Sequence, residues 1–387
     1  MSTRATTPTS AAGARADADA DADAPDDADP DDADDAAALG ADAPAAHAFA
    51  LPPGADPALD WGLTAHLHPD GSPRIVERHL AVPAELAGLR LDHFIKTQIP
   101  RLSRTRIQTI IASQLRRADG HAAKPATIVA AHDRYVIRRP AQPEPPCPRT
   151  FDVVLRDPRL YVIAKPAFLP VHASAKFYFN TLTRVLAERF PAEPELQICH
   201  RLDRETSGCL VVARDRAAAT AIKQAFADKG RVTKQYLAVV HGQPPWDAEH
   251  EIDLPLRVAG PDDPTRLPHV RVLAGPGGLR AVTRVIVERR AGAYALVRCT
   301  LVTGRQHQIR VHLAARGFPI VGDKLYAHGD DAFIRYCADG LVPELARLFV
   351  LPRHALHAAH VRFPHPDGGT RAADAPLPAD LAALLSS

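Results

Sequence analysis

The run from His200 to Asp215 limits what this chain can fold into more than any other stretch. A largely polar segment, His200-Arg201-Leu202-Asp203-Arg204-Glu205-Thr206-Ser207-Gly208, passes through Cys209 into the short apolar run Leu210-Val211-Val212-Ala213. Such a run bounded by polar residues reads as a buried strand. The loop before it holds two arginines, two acids, a histidine and two hydroxyls. Loops fixed by a rigid scaffold are where catalytic groups tend to sit. Asp203 stands out because Arg201 and Arg204 flank it, and cations suit an ionised carboxylate. The residues alone also fit a solvated loop whose charges pair with one another.

Charge divides the chain near residue 50. Residues 1–50 hold twelve Asp against Arg4 and Arg15, a charge of −10, so residues 51–387 carry +12 of the total of +2. A portion that basic points to a polyanionic partner. The acidic segment, with its alternation from Ala16 to Asp21, cannot offset its ordering entropy by burial, and it is expected to be a disordered, solubilising tail. The five cysteines (Cys147, Cys199, Cys209, Cys299, Cys337) are scattered and form no C-x-x-C pair, so they read as reduced core residues. No apolar run has the length of a membrane span, and the N-terminus lacks a signal-peptide core. The expectation is a cytoplasmic monomer that does not contact a membrane.

Residues 51–77, with Trp61 and the pair His66 and His68, read as a linker. Leu91, Phe94 and Ile95 then recur at helical spacing up to Pro100, and Ser103 is placed to cap a second helix carrying Ile107, Ile110 and Ile111. Asp119-Gly120 marks a turn, and 127–137 reads as strands. Arg104, Arg106, Arg116 and Arg117 lie off the apolar stripe, where they would contact phosphates without sequence choice. This stretch, 78–138, resembles the α-L RNA-binding domain first known from a small-subunit ribosomal protein, through Arg90-Leu91-Asp92, Ser103-Arg104, Asp133 and Tyr135-Val136. The resemblance implies RNA contacts at Arg90, Arg104 and Arg106.

A proline-rich linker, 139–149, precedes the larger domain, 150–366. Strands are expected over 153–155, 160–164 and 234–240, with a hairpin from 281–288 and 293–302. Helices are expected over 182–190, over 217–229 before Gly230, and over 306–316 before Gly317. Residues 243–280 read as loop-rich, with turn clusters at 261–264 and 275–278. The segment 367–387 reads as a helix or frayed tail.

Several of these pieces resemble the RluA-like family of RNA pseudouridine synthases. The first stretch is similar to its signature H-R-L-D-x-x-T-S-G. Lys165-Pro166 with Leu169-Pro170-Val171-His172 resembles the family's first motif, although Phe168 stands where a glycine is usual. Lys234-Gln235-Tyr236 matches Lys-x-Tyr, and Gly304 to His312 matches G-R-x-H-Q-I-R-x-H, with Gln306 in place of the usual Thr. Pieces at 319–326 and 354–358 continue the match. The resemblance implies an α+β fold whose catalytic domain has a mixed, largely antiparallel sheet, preceded by a small α/β RNA-binding domain. It also implies that Asp203 is catalytic, that Tyr236 lines the site and that Arg310 forms a salt bridge to the aspartate. Arg201 would fill the space left by a flipped uridine, with His200, Arg305, His307 and Gln308 on the RNA-facing side. Lys165 reads as a strand-end lysine.

Isomerising uridine to pseudouridine exchanges a ribose–nitrogen bond for a ribose–carbon bond, and it requires no cofactor and no metal. The histidines do not argue otherwise: His66 and His68 have no third ligand nearby, and of the close pairs in the larger domain, His307 with His312 and His354 with His357, the first is five apart and H-E-x-x-H is absent. His200, Thr206 and Ser207 read as loop-shaping hydrogen bonders, since no G-x-S-x-G elbow accompanies them. Large-subunit ribosomal RNA is the favoured substrate and transfer RNA the runner-up. The rival readings are a ribosome-assembly factor with a retired active site and a hydrolase acting through Asp203.

Overall fold

A three-stranded and a ten-stranded sheet organise the residues described by the computed structural model, 51–386 apart from 101, 175 and 229. The acidic segment 1–50 lies outside the described residues. In the smaller sheet, β1 (Ile75–Ala81), β2 (Leu115–Arg117) and β3 (Arg134–Pro140) lie antiparallel in the order β1-β3-β2. Two helices, α1 (Leu91–Gln98) and α2 (Arg104–Ser113), complete this unit. Ser103 caps α2 by accepting the Arg106 amide at 3.2 Å. The expected stripe of Ile107, Ile110 and Ile111 packs with Leu91, Phe94, Ile95 and Tyr135. Pairing runs from Ile75↔Pro140 to Ala81↔Arg134, so the ladder carries this unit to 75–140, beyond 78–138 at both ends.

Residues 51–77 are not a free linker. Trp61 is buried, its carbonyl accepts the Cys147 amide at 2.9 Å, and the Asn180 side chain donates to the Gly62 carbonyl at 3.1 Å. The indole supplies enough apolar area to dock an otherwise polar segment. The proline-rich stretch is extended, as expected, but it too is pinned. The buried Glu144 carboxylate accepts the amides of Tyr178, Phe179 and Asn180 at 3.0, 3.0 and 2.8 Å.

The larger domain contains β4 (Asp152–Arg156), β5 (Leu160–Lys165), α3 (Leu182–Arg189), β6 (Gln197–Ile198), β7 (Ser207–Ala213), α4 (Arg216–Ala227) and β8 (Thr233–His241). Residues 243–280, expected to be loop-rich, are so, and include three short strands, β9 (His250–Asp253), β10 (Leu256–Val258) and β11 (Val272–Ala274). The hairpin β12 (Val282–Ala291) and β13 (Tyr294–Leu301) then leads into α5 (Gln308–Ala315). After α6 (Gly329–Asp339) and α7 (Pro343–Phe349), the chain returns through β14 (Leu356–Pro364), β15 (Thr370–Asp374) and α8 (Ala379–Ala383).

Strand order is β4-β5-β7-β14-β8-β13-β12-β9, with β6 against β7 and β15 against β14. Among the described residues every strand pairing is antiparallel except β7 with β14. All seven residues of β7 are buried, as a central strand flanked on both sides requires. The C-terminal segment is likewise integral: β15 extends the sheet, and Leu381 and Leu385 of the last turn enter the main core. This strand forms a hairpin with β14 across the turn 365–369, and its alanine-rich composition carries little strand signal of its own. No described helix is long and apolar enough to cross a membrane.

The parallel contact explains the glycine of the signature. Gly208 has φ 114° and faces Ala358 so closely that a Cβ would lie 2.2 Å from the Ala358 carbonyl oxygen. Gly208→Ala is expected to cost about 3 kcal/mol or more, combining backbone strain with a backbone clash. Urea unfolding measures it, and a loss below about 1 kcal/mol would contradict this packing.

Candidate active site

Asp203 sits at the mouth of β7 because its loop is held from three directions. Leu202 anchors one side in the core. The buried Lys165 ammonium donates to the carbonyls of Pro166, Leu169 and Arg204 at 2.8, 2.9 and 3.1 Å, joining the first motif to the signature loop. Glu205, also buried, accepts Lys324 Nζ at 2.7 Å and the His354 amide at 2.9 Å. Thr206 pairs with His354 Nε2 at 2.8 Å, and Ser207 donates to His357 Nδ1 at 2.9 Å, fastening the start of β7 to β14. Phe168 keeps a left-handed backbone with φ 71°. The usual glycine has therefore been replaced without loss of the turn that Lys165 grips.

Three residues named from sequence converge here. The Arg310 guanidinium reaches Asp203 Oδ2 at 3.3 Å and grips Asp323 with two further bonds of 2.7 and 3.1 Å. Asp323 is fully buried and accepts the amides of Leu325 and Tyr326, each at 3.0 Å. Burial opposes its charge, but Arg310 and the Tyr326 amide outweigh that and hold the carboxyl below its ordinary range. Arg310 is thus fixed by one carboxylate and presented to another. Asp203 keeps a quarter of its side chain open to solvent. Tyr236, on β8, is nearly buried, and burial together with the Asp203 charge pushes its phenol above the usual range, so it is neutral.

The motif around α5 has a mechanical logic. Gln308 Oε1 accepts the Arg305 amide at 3.0 Å and the Thr303 hydroxyl at 2.8 Å, while its Nε2 donates to Val282 and Thr283. His312 bonds Thr283 and the Leu254 carbonyl, and His307 Nδ1 pairs with the Tyr326 hydroxyl at 2.8 Å. These side chains fasten α5 to its neighbours and so aim Arg310. Gln308 and His307 are accordingly buried, whereas Arg201 and Arg305 are exposed. On the smaller domain Arg104 and Arg106 are exposed, while Arg90 is bonded to the buried Asp92 at 3.1 and 2.9 Å.

His200 turns inward as well. Its ring stacks on Phe226 with centroids 4.4 Å apart, and Nε2 accepts the Val211 amide at 3.0 Å. Burial, followed by the charge of Lys234, pushes the imidazole down to about 3. The unfolded chain takes up this proton near the ordinary histidine value of ~6.5, and the folded chain refuses it. Stability is therefore full above that value and falls as pH drops from it towards about 3. His354 and His357, also lowered by burial, act in the same direction. Urea midpoints are expected to be lower at about pH 5 than at about pH 7.5, with His200→Gln narrowing the gap. Equal wild-type midpoints would contradict a neutral buried imidazole.

Asp323, Glu205, Lys324 and His354 carried no assigned role in the sequence. The only signal for Asp323 was its place in the matched piece Pro319-Ile320-Val321-Gly322-Asp323. Gly322 shows why that piece is built as it is: with φ 79°, a Cβ there would lie 2.0 Å from the Arg353 carbonyl.

Comparison with known proteins bears on this constellation. The sequence pattern described as RNA pseudouridylate synthase matches residues 159–315, which include Asp203, Tyr236 and Arg310. Ribosomal large subunit pseudouridine synthase D of Neisseria meningitidis serogroup A is 34% identical over 315 residues, covering 79% of this chain and 80% of that protein. The chain belongs to the RNA pseudouridine synthase family. Ribosomal large subunit pseudouridine synthase C of Escherichia coli (strain K12) is also 34% identical, over 302 residues, covering 75% of this chain and 89% of that one. The solved structure of human RNA pseudouridylate synthase domain containing 1 aligns at 26% identity with a TM-score of 0.47, covering 59% of this chain and 84% of that one. As a pseudouridine synthase the protein is an isomerase, and its mixed, mostly antiparallel sheet is the architecture its motifs implied.

Proposed function

We propose that this protein converts uridine to pseudouridine in large-subunit ribosomal RNA, with Asp203 acting at the ribose of a uridine turned out of its stack. The observation that carries the reading is the Arg310 bridge: one guanidinium, locked by the buried Asp323, holds the partly open Asp203 beside Tyr236. A carboxylate that works on a sugar has to stay ionised in a site closed to bulk water, and a fixed cation provides for that. The bond from C1′ to N1 breaks, the base turns, C1′ bonds to C5, the C5 proton leaves, and N1 takes up a proton, so that the product is an isomer of uridine. Tyr236, neutral at rest, serves as the wall against which the base turns. Extruding a uridine costs unstacking energy, and the exposed Arg201 fills the vacancy with a planar cation.

Two relatives named for the large ribosomal subunit support the substrate. The 75–140 unit, with Arg104 and Arg106 outward, adds phosphate contacts that bind RNA without choosing sequence. The protein acts as a cytoplasmic monomer. Tritium release from RNA labelled at uracil C5 tests the reading: release from deproteinised large-subunit ribosomal RNA is expected, with none from transfer RNA. The reverse pattern would move the substrate to transfer RNA. No release from either RNA would favour the retired assembly factor.

A further inference from the structure

The lysine of the Lys-x-Tyr segment has no task in the account above. Lys234 and Tyr236 are two apart on β8, so their side chains leave the same face of the sheet. Lys234 is partly buried, with its ammonium 5.7 Å from the centre of the Phe226 ring, the ring on which His200 stacks. On its other side is Gly304, where a Cβ would lie 3.1 Å from Nζ. The ammonium therefore stands between the signature loop at His200-Arg201 and the turn at Gly304-Arg305. Among the described residues it makes no hydrogen bond and no ion pair. A cation drawn partly out of water without an anion is unfavourable, and burial lowers its proton affinity accordingly. His200, on the same Phe226 ring, is neutral and offers no anion, and the neighbouring Arg201 and Arg305 are exposed.

We propose that Lys234 Nζ is the seat of an RNA backbone phosphate next to the nucleotide bound at Asp203, with Arg201 and Arg305 flanking that seat. The chemistry selects the ligand. A lysine ammonium without an anion, two residues along the strand from Tyr236 and next to the segments that carry Arg201 and Arg305, suits a phosphodiester attached to that base's own ribose. Glycine at 304 keeps the approach to the ammonium open, and the Phe226 ring supports the lysine stem. Lys234 is a binding residue here and takes no part in bond exchange.

This inference rests on the reading of the Asp203 pocket as a uridine site, and the experiment separates the two. Lys234→Met keeps the apolar stem against Phe226 and removes the charge, Lys234→Gln is a second neutral variant, and Lys234→Arg restores a cation. Binding to deproteinised large-subunit ribosomal RNA is measured from about 50 to about 200 mM KCl, and single-turnover tritium release at saturating RNA is measured in parallel. For both neutral variants the expected result is an affinity loss of roughly ten-fold at the low-salt end. The slope of log K against log salt should fall by about one, and the saturated rate should stay within about three-fold of wild type. Lys234→Arg should recover most of the affinity. Unchanged affinity and slope in a folded neutral variant would overturn the proposal, as would a collapse of the saturated rate with binding intact. Absence of release by the wild type would count against the uridine reading, while the binding data would still decide whether Lys234 holds a phosphate.

Discussion

Asp203→Asn is expected to abolish tritium release, with a fall of about 10⁴-fold or more in the single-turnover rate. The substitution keeps the side chain's size and its reach to Arg310 while removing the charge that acts on the ribose. Little of the fold depends on it, since the carboxylate is a quarter exposed and accepts one bond of 3.3 Å from Arg310. The thermal midpoint is thus expected to stay near that of the wild type, and RNA affinity within a few-fold. A folded Asp203→Asn variant that retained more than about a tenth of the wild-type rate would remove Asp203 from the chemistry.

Asp323→Ala should do the opposite, striking stability first. The wild-type carboxylate is fully buried and satisfies two Arg310 bonds and two backbone amides. Taking away one partner of a buried ion pair leaves the other charge uncompensated, at a cost of about 3–5 kcal/mol. Both amides lose their acceptor as well. In whatever fraction remains folded, Arg310 is no longer aimed at Asp203, so the saturated rate should also fall. Asp323→Asn is expected to be milder, because its amide oxygen can still accept from Leu325 and Tyr326. Urea unfolding of both variants checks the order, and a loss under about 1 kcal/mol for the alanine variant would show that Arg310 is held some other way.

The contrast between these aspartates marks how far the sequence could be read. Asp203, Tyr236 and Arg310 were legible because each stands in a short local pattern that resembles a family motif. Asp323 was not, since its importance lies in a partner thirteen residues away on another element and in amides that only the folded turn presents. Glu205 and Lys324 are 119 residues apart and meet only in the tertiary structure. Polarity also misleads at close range. His200, His307 and Gln308 look like RNA-facing groups in a basic protein, yet their hydrogen bonds run inward and set the positions of neighbouring elements. Helices with a clear apolar stripe and a cap, such as α2, came out close to their true bounds. Trp61 in its polar surroundings carried no local sign that the fold would absorb it, whereas the sign for β15 lay in the turn Asp367-Gly368-Gly369 before it and not in its own alanine-rich residues.

The position of β14 has a consequence for how the protein is made. Its hydroxyl and imidazole contacts reach back about 150 residues, from His357 to Ser207, and it lies between β7 and β8 in the middle of the sheet. A nascent chain lacking residues from Leu356 onward has a gap where its central strand belongs, with the Asp203 loop unfastened on that side. Contacts of such sequence separation form late. A ribosome translating this message must therefore deliver the chain through β14 before the protein can modify any RNA.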